Sequence, residues 1–273
     1  CCMDGLGARY PYIIFSVEEL LTSKKKNSRS TMEELLQAGG IQPYALDFRG
    51  FGGTPSDKSG GVLPHRCVTD VETALKWIAE RHQINLDDDN TDNKQKDQLP
   101  ALLGWSQGAL VAQLVAQKSS CLISKLILYG SIYDSMHRYP RDPLYTITQA
   151  NTTIIENQYD WAIEDFTIED SIPHFPADSF AKACLLSDPY KAQWQQLHEF
   201  NDLDPARVNI DTLVVSGDQD PYTPRSALEE LFVNLGRGYD KQWNMIANAD
   251  HALHLLDERK RFIHIIKSFI GKG

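Results

Sequence analysis

Leu99-Pro-Ala-Leu-Leu-Gly-Trp-Ser-Gln-Gly-Ala109 sets a short apolar run directly against a helical pattern, with Gly104-Trp105-Ser106-Gln107-Gly108 at the junction. Leu99 to Leu103 reads as a fully buried strand, and Ala109 to Ala116 as a helix with almost no polar face. A serine at that junction stands on a sharp turn. Its hydroxyl is a weak nucleophile at its own pKa and needs exposure, a base within reach and donors for a developing oxyanion. The turn supplies exposure, and the backbone N–H of Gln107 supplies one donor. The flanking glycines let strand and helix pass close together at a strained corner. The other reading of the same residue is a plain helix N-cap, a position that Ser favours.

Working outward, strand patterns alternate with helical ones. Tyr12-Ile13-Ile14-Phe15 and Gln42 to Phe48 read as strands, and Ser30-Thr31-Met32-Glu33 has capping-box spacing for a short helix stopped at Gly39-Gly40. Arg66 to His82 is an amphipathic helix with Val71, Ala74, Leu75, Ile78 and Ala79 at helical spacing. Leu122 to Tyr129, Thr212 to Ser216 and Lys241 to Ile246 complete the strands, with helices over Pro224 to Leu235 and Asp257 to Ile270. From about Tyr133 to Val208 strand alternation disappears. Aromatic residues fall in helical stretches divided by prolines at 140, 143, 173, 176, 189 and 205. The expected fold is α/β: a mostly parallel central sheet with helices on both faces, its active site at the carboxyl ends of the strands. Residues 1–132 and 209–273 form the core domain, and 133–208 an inserted helical lid.

Bulk properties narrow the function. The chain has 273 residues, a formal net charge of −10 and a pI near 5.2. An acidic surface argues against a nucleic-acid partner, which requires a basic face. The basic run Lys24-Lys25-Lys26 reads as a solvated loop tip. Cys1, Cys2, Cys67, Cys121 and Cys184 are odd in number and lack metal-ligand spacing. The acidic stretch Asp87 to Asp92 lacks the glycine and terminal glutamate of an EF-hand, so no metal and no cofactor is expected. With no apolar stretch of membrane-spanning length, the expectation is a cytoplasmic protein, although a chain opening Cys1-Cys2 leaves room for an upstream targeting segment.

A nucleophilic Ser106 needs a base and an acid that orients the base. Asp220 lies in a loop leaving one buried strand, and His251 in a loop leaving the next. The order Ser, Asp, His, with G-x-S-x-G between strand and helix, resembles the α/β-hydrolase fold family over nearly the whole chain. Asp47-Phe48-Arg49-Gly50-Phe51-Gly52 looks like the D-x-R-G-x-G loop of that family, Gly217-Asp218-Gln219-Asp220-Pro221 like its acid loop, and Ala249-Asp250-His251 like its histidine loop. The resemblance implies Ser106 as nucleophile, His251 as general base and then acid, and Asp220 as the orienting carboxylate. Asp218 is its nearest rival. Asp47 and Arg49 are assigned to loop structure.

One departure concerns the oxyanion site. The family commonly carries His-Gly after an early strand, where this chain reads Ser16-Val17-Glu18. The second donor then falls to the N–H of Val17 or Ser16, beside that of Gln107. The aromatic lid suits a small to medium apolar acyl group. Three functions follow: a serine hydrolase of carboxylic esters or thioesters acting on a small-molecule substrate, a C–C bond hydrolase or lyase-like family member, and a non-catalytic ligand-binding protein of the same fold. The sequence carries no signal for an oligomeric state.

Overall fold

The computed structural model describes residues 12–16 (as backbone), 41–58, 61–86, 98–139, 155–163, 174–190 and 194–271. The capping box at Ser30, the lysine run, the acidic stretch 87–92 and Val17 lie outside them. Among the described residues six parallel strands, β1 (Tyr12–Ser16), β2 (Gln42–Leu46), β3 (Ala101–Trp105), β4 (Leu126–Tyr129), β5 (Thr212–Gly217) and β6 (Lys241–Ile246), form one sheet in the order β2-β1-β3-β4-β5-β6. The direction of winding reverses between β1 and β3, and the carboxyl edge at such a reversal is where open α/β sheets leave a crevice. β3 delivers Ser106 to that edge. Ser16, at the end of β1, is paired in register with Gly104.

Among the described residues the helices are α1 (Pro64–Arg81), α2 (Gln107–Lys118), α3 (Tyr159–Ile163), α4 (His174–Ser187), α5 (Arg225–Asn234) and α6 (Arg259–Ile270). Period-two alternation along the strands gives the sheet two apolar faces. Leu102, Leu126, Leu128 and Val214 pack with α1, α2 and α5 through Val71, Leu75, Leu110, Val111, Leu228 and Leu231. Ala101, Leu103, Ile127, Leu213 and Val215 pack with α6 through Phe262, Ile263, Ile266 and Phe269. Lys125, itself buried, ties α6 to the sheet. Its ammonium donates to the carbonyls of Phe269 at 2.9 Å and Ile270 at 3.1 Å, at the negative end of the helix.

Several element boundaries differ from the pattern reading, each for a local reason. β3 runs to Trp105 because Gly104 and Trp105 keep pairing with Leu128 and Tyr129. α1 starts at Pro64, ahead of Arg66, with proline in its first turn after an extended Leu63. The stretch from Leu122 is a strand only from Leu126, because Ser120–Leu122 is a 3-10 turn and the Ser124 amide bonds to the Pro100 carbonyl.

Between β4 and β5 the described residues hold α3, α4 and 3-10 turns at Leu197–Asp202 and Pro205–Arg207. This segment is bonded to the stretch that precedes α1. The Gln195 amide donates to the Val62 carbonyl at 2.8 Å, and the Gly52 amide to Asp188 at 2.7 Å. The loop after β2 is held by its own polar residues. Asp47 accepts from the Gly53 amide at 3.1 Å, and the Arg49 guanidinium forks onto Asp70 of α1, with Nε 2.9 and 3.0 Å from the two carboxylate oxygens.

Candidate active site

Ser106 follows the last residue of β3 and precedes the first of α2, with φ 55° and ψ −122°. A non-glycine residue there is strained and persists only where the surroundings hold it. Its amide donates to the Tyr129 carbonyl at 3.0 Å, and its carbonyl accepts from the Ala109 amide at 3.0 Å. Close approach of strand and helix depends on Gly104, where a Cβ would lie 2.3 Å from the Gly108 carbonyl oxygen. Ser106, Gln107 and Gly108 are partly exposed while every residue of β3 is buried, so the turn faces outward from a fixed base.

The two loops that follow β5 and β6 meet. At Gly217 a Cβ would stand 2.1 Å from the Ala249 carbonyl oxygen, so only glycine lets the backbones touch. The Gln219 amide donates to the Ala249 carbonyl at 3.0 Å. In this cradle His251 Nδ1 lies 2.8 Å from Asp220 Oδ2, with the two side chains 2% and 1% exposed. The other Asp220 oxygen accepts from the Tyr222 amide at 2.9 Å, which fixes the carboxylate plane. An ionised carboxylate facing Nδ1 assigns the proton to that nitrogen and leaves Nε2 as the acceptor. Gly130, with φ 51°, packs against the pair: a Cβ there would lie 3.2 Å from His251 Nδ1.

Asp218 has a different place. It is exposed, and its Oδ1 accepts from the Ala249 amide at 3.3 Å, bracing the histidine loop through backbone. Of the two carboxylates, Asp220 is the one that reaches the imidazole. Trp105, the residue before Ser106, brings the serine turn and the histidine together, with ring centroids 5.2 Å apart. The register neighbour Ser16 lies one strand over from the turn, and Val17 lies outside the described residues. Among the described residues no group of three or more His, Cys, Asp or Glu side chains converges as a metal requires, and no helix is long and apolar enough to cross a membrane.

Three side chains around His251 escaped the sequence reading. The Trp105 indole Nε1–H donates to the His251 carbonyl at 3.0 Å, and the Tyr129 hydroxyl donates to the same carbonyl at 2.8 Å. His254 Nδ1 is 2.9 Å from that hydroxyl. Burial first, and the neighbouring His251 second, push the His254 pKa down to about 3, so it stays neutral. The only signals in the sequence were adjacency, Trp105 beside Ser106 and His254 near His251; no periodicity links Tyr129 to either.

Comparison with known proteins agrees with this architecture. The family model described as "Alpha/beta hydrolase family" matches residues 27–265. No curated protein matches significantly. Among solved structures, a thermophilic esterase from Thermogutta terrifontis is similar with TM-score 0.66 and 16% identity, over 96% of this chain and 90% of that one. A Paleococcus ferrophilus monoacylglycerol lipase is similar with TM-score 0.58 and 17% identity, over 97% and 96%. The thioesterase domain from the curacin biosynthetic pathway is similar with TM-score 0.57 and 14% identity, over 94% and 91%. At these identities the likeness speaks for the fold alone, whereas the family match spans most of the chain. With its parallel sheet, helices on both faces and strained serine turn between β3 and α2, the chain belongs to the alpha/beta hydrolase family.

Proposed function

We propose that the protein is a serine hydrolase that cleaves a carboxylic ester or thioester of a small to medium apolar acyl group through an acyl-enzyme. The observation that carries this reading is the buried contact of 2.8 Å between His251 Nδ1 and Asp220 Oδ2, beside a serine held at φ 55°. In this reading Ser106 Oγ attacks the acyl carbon while His251 Nε2 takes its proton. The Gln107 N–H receives the developing oxyanion, with Ser16 or Val17 as the second donor. His251 then passes the proton to the leaving oxygen or sulfur. Water, deprotonated by the same nitrogen, releases the acid and restores Ser106. Asp220 keeps Nδ1 protonated and stabilises the imidazolium that forms in each half-reaction.

Residues 133–208 act as the lid over this site. Phe180 of α4 supports this reading: it packs edge-on to Trp105, the residue next to Ser106, with ring centroids 6.5 Å apart. Neighbours of the same fold described as esterase, monoacylglycerol lipase, thioesterase and enol-lactonase all have names denoting acyl chemistry of this kind. A fluorophosphonate probe tests the reading directly: it labels wild type and not Ser106→Ala. Absence of labelling in wild type overturns it. A series of p-nitrophenyl esters and matching acyl thioesters then reads acyl length and leaving-group preference.

A further inference from the structure

Trp105 and Tyr129 end adjacent strands and are partners in the ladder, so their side chains leave the sheet on the same face, toward α6. Their rings are stacked, 5.9 Å apart and 17° from parallel. Both polar tips converge on one atom, the His251 carbonyl oxygen, at 3.0 and 2.8 Å. A carbonyl accepts only, so the single phenolic proton of Tyr129 points at His251. The Tyr129 oxygen then accepts from His254, whose Nδ1 is 2.9 Å away and whose amide is 3.3 Å away. His254 is therefore the Nδ1–H tautomer, and the chain of protons runs His254 to Tyr129 to the His251 backbone. From the other side, the main-chain carbonyl of Tyr129 accepts from the Ser106 amide at 3.0 Å.

We propose that Trp105, Tyr129 and His254 form a clamp that sets the separation of Ser106 and His251, acting as positioning residues for the hydrolysis proposed above, on which this inference rests. Two short paths join nucleophile and base. One passes through Tyr129 alone, from the Ser106 amide to its carbonyl and from its hydroxyl to the His251 carbonyl. The other passes from Ser106 along the chain to Trp105 and across the indole N–H. Both hydrogen bonds go to the His251 main chain and not to a ring nitrogen. What they fix is where the imidazole stands relative to Ser106 Oγ, a distance on which proton transfer depends steeply. His254 contributes two donors to the Tyr129 oxygen, its ring Nδ1–H and its backbone N–H, which leaves the phenolic proton to the His251 carbonyl. Kept neutral by burial, it adds no charge next to the base.

Tyr129→Phe keeps the ring and removes the hydroxyl with its bonds to the His251 carbonyl and to the ring and backbone of His254. It is expected to slow acylation by a fluorophosphonate and kcat for a p-nitrophenyl ester by about 10- to 100-fold, with KM within about twofold of wild type. The low-field proton resonance of His251 Nδ1–H, sharp in wild type, broadens. His254→Leu loses the Nδ1–H donor but keeps the backbone N–H on the hydroxyl, and it slows kcat in the same direction by about 10-fold. In His254→Asn the amide N–H stands in for Nδ1–H, so rate and resonance stay within about threefold of wild type. A Tyr129→Phe enzyme with unchanged kcat and resonance overturns the clamp, as does one whose loss lies in KM. So does a His254→Asn enzyme as slow as His254→Leu, a comparison that stands even if Tyr129→Phe fails to fold. If wild type itself takes no probe, the hydrolase reading falls, and the resonance alone then decides whether the clamp orders His251.

Discussion

Replacing Asp220 by Asn tests the charge of the buried pair while leaving its shape. In the proposed mechanism the imidazole becomes cationic in the transition state, with its Nδ1 2.8 Å from the carboxylate oxygen. Opposite unit charges at that separation attract by about 6 kcal/mol at an effective dielectric of about 20. Removing the full charge thus forfeits up to roughly four decades of rate, of which the carboxamide dipole recovers part, leaving a loss of about 1,000- to 10,000-fold in kcat/KM. Asn also turns an N–H toward Nδ1 in one of its two orientations, which would place the imidazole proton on Nε2, where it blocks the serine. Asp218→Asn is the internal control. It keeps an oxygen for the Ala249 amide, so its kcat/KM stays within about tenfold of wild type. The assay is hydrolysis of a p-nitrophenyl ester at pH 8, with circular dichroism to confirm folding. An Asp220→Asn enzyme within tenfold of wild type, or an Asp218→Asn enzyme that is the slower of the two, refutes the assignment.

Other perturbations reach the scaffold. Gly104→Ala puts a methyl 2.3 Å from the Gly108 oxygen and 2.7 Å from the Ala109 Cα, both backbone atoms that cannot rotate aside; urea unfolding should show a loss of about 3 kcal/mol. Lys125→Met retains the apolar stem but strips the last turn of α6 of two charge-assisted bonds, at a cost of about 2 kcal/mol by the same method. His254 has a folded pKa of about 3 against an ordinary 6.5, so between those values the unfolded chain binds a proton that the native state refuses. Stability therefore falls as pH drops through that window, by about 1.4 kcal/mol per pH unit from this group. His254→Asn should flatten the wild-type curve by that amount, and parallel curves would show that His254 does not titrate in this way.

Much of the sheet was legible because its central strands β3, β4 and β5 are buried on both faces and β3 and β5 are followed by the turns that carry Ser106 and Asp220. Thr212 to Ser216 and Lys241 to Ile246 are strands at the expected places, and the two loops after them hold Asp220 and His251 against each other. The boundaries moved where pairing or a cap outweighed hydropathy. Gly104 reads as a break in an apolar run, yet the ladder with Leu128 carries β3 through it. Sequence could rank Asp220 over Asp218 only by resemblance. The decision lies in which carboxylate the turn at Tyr222 aims inward, a matter of backbone direction that no residue type announces. The hydrogen bonds of Trp105, Tyr129 and His254 were invisible for a related reason: each joins residues more than a hundred positions apart.

The sheet order has a further consequence, for synthesis. Chains fold broadly from the amino end as they emerge, and every pairing here joins parallel strands across long connections. The serine turn can form once β3, α2 and β4 are out, since the Ser106 amide leans on Tyr129. The imidazole cannot arrive until β5 has laid down its acid loop and β6 has paired beside it. A nascent chain thus carries Ser106 on a finished turn while His251 is still being translated, so the three side chains cannot meet until β6 is in place.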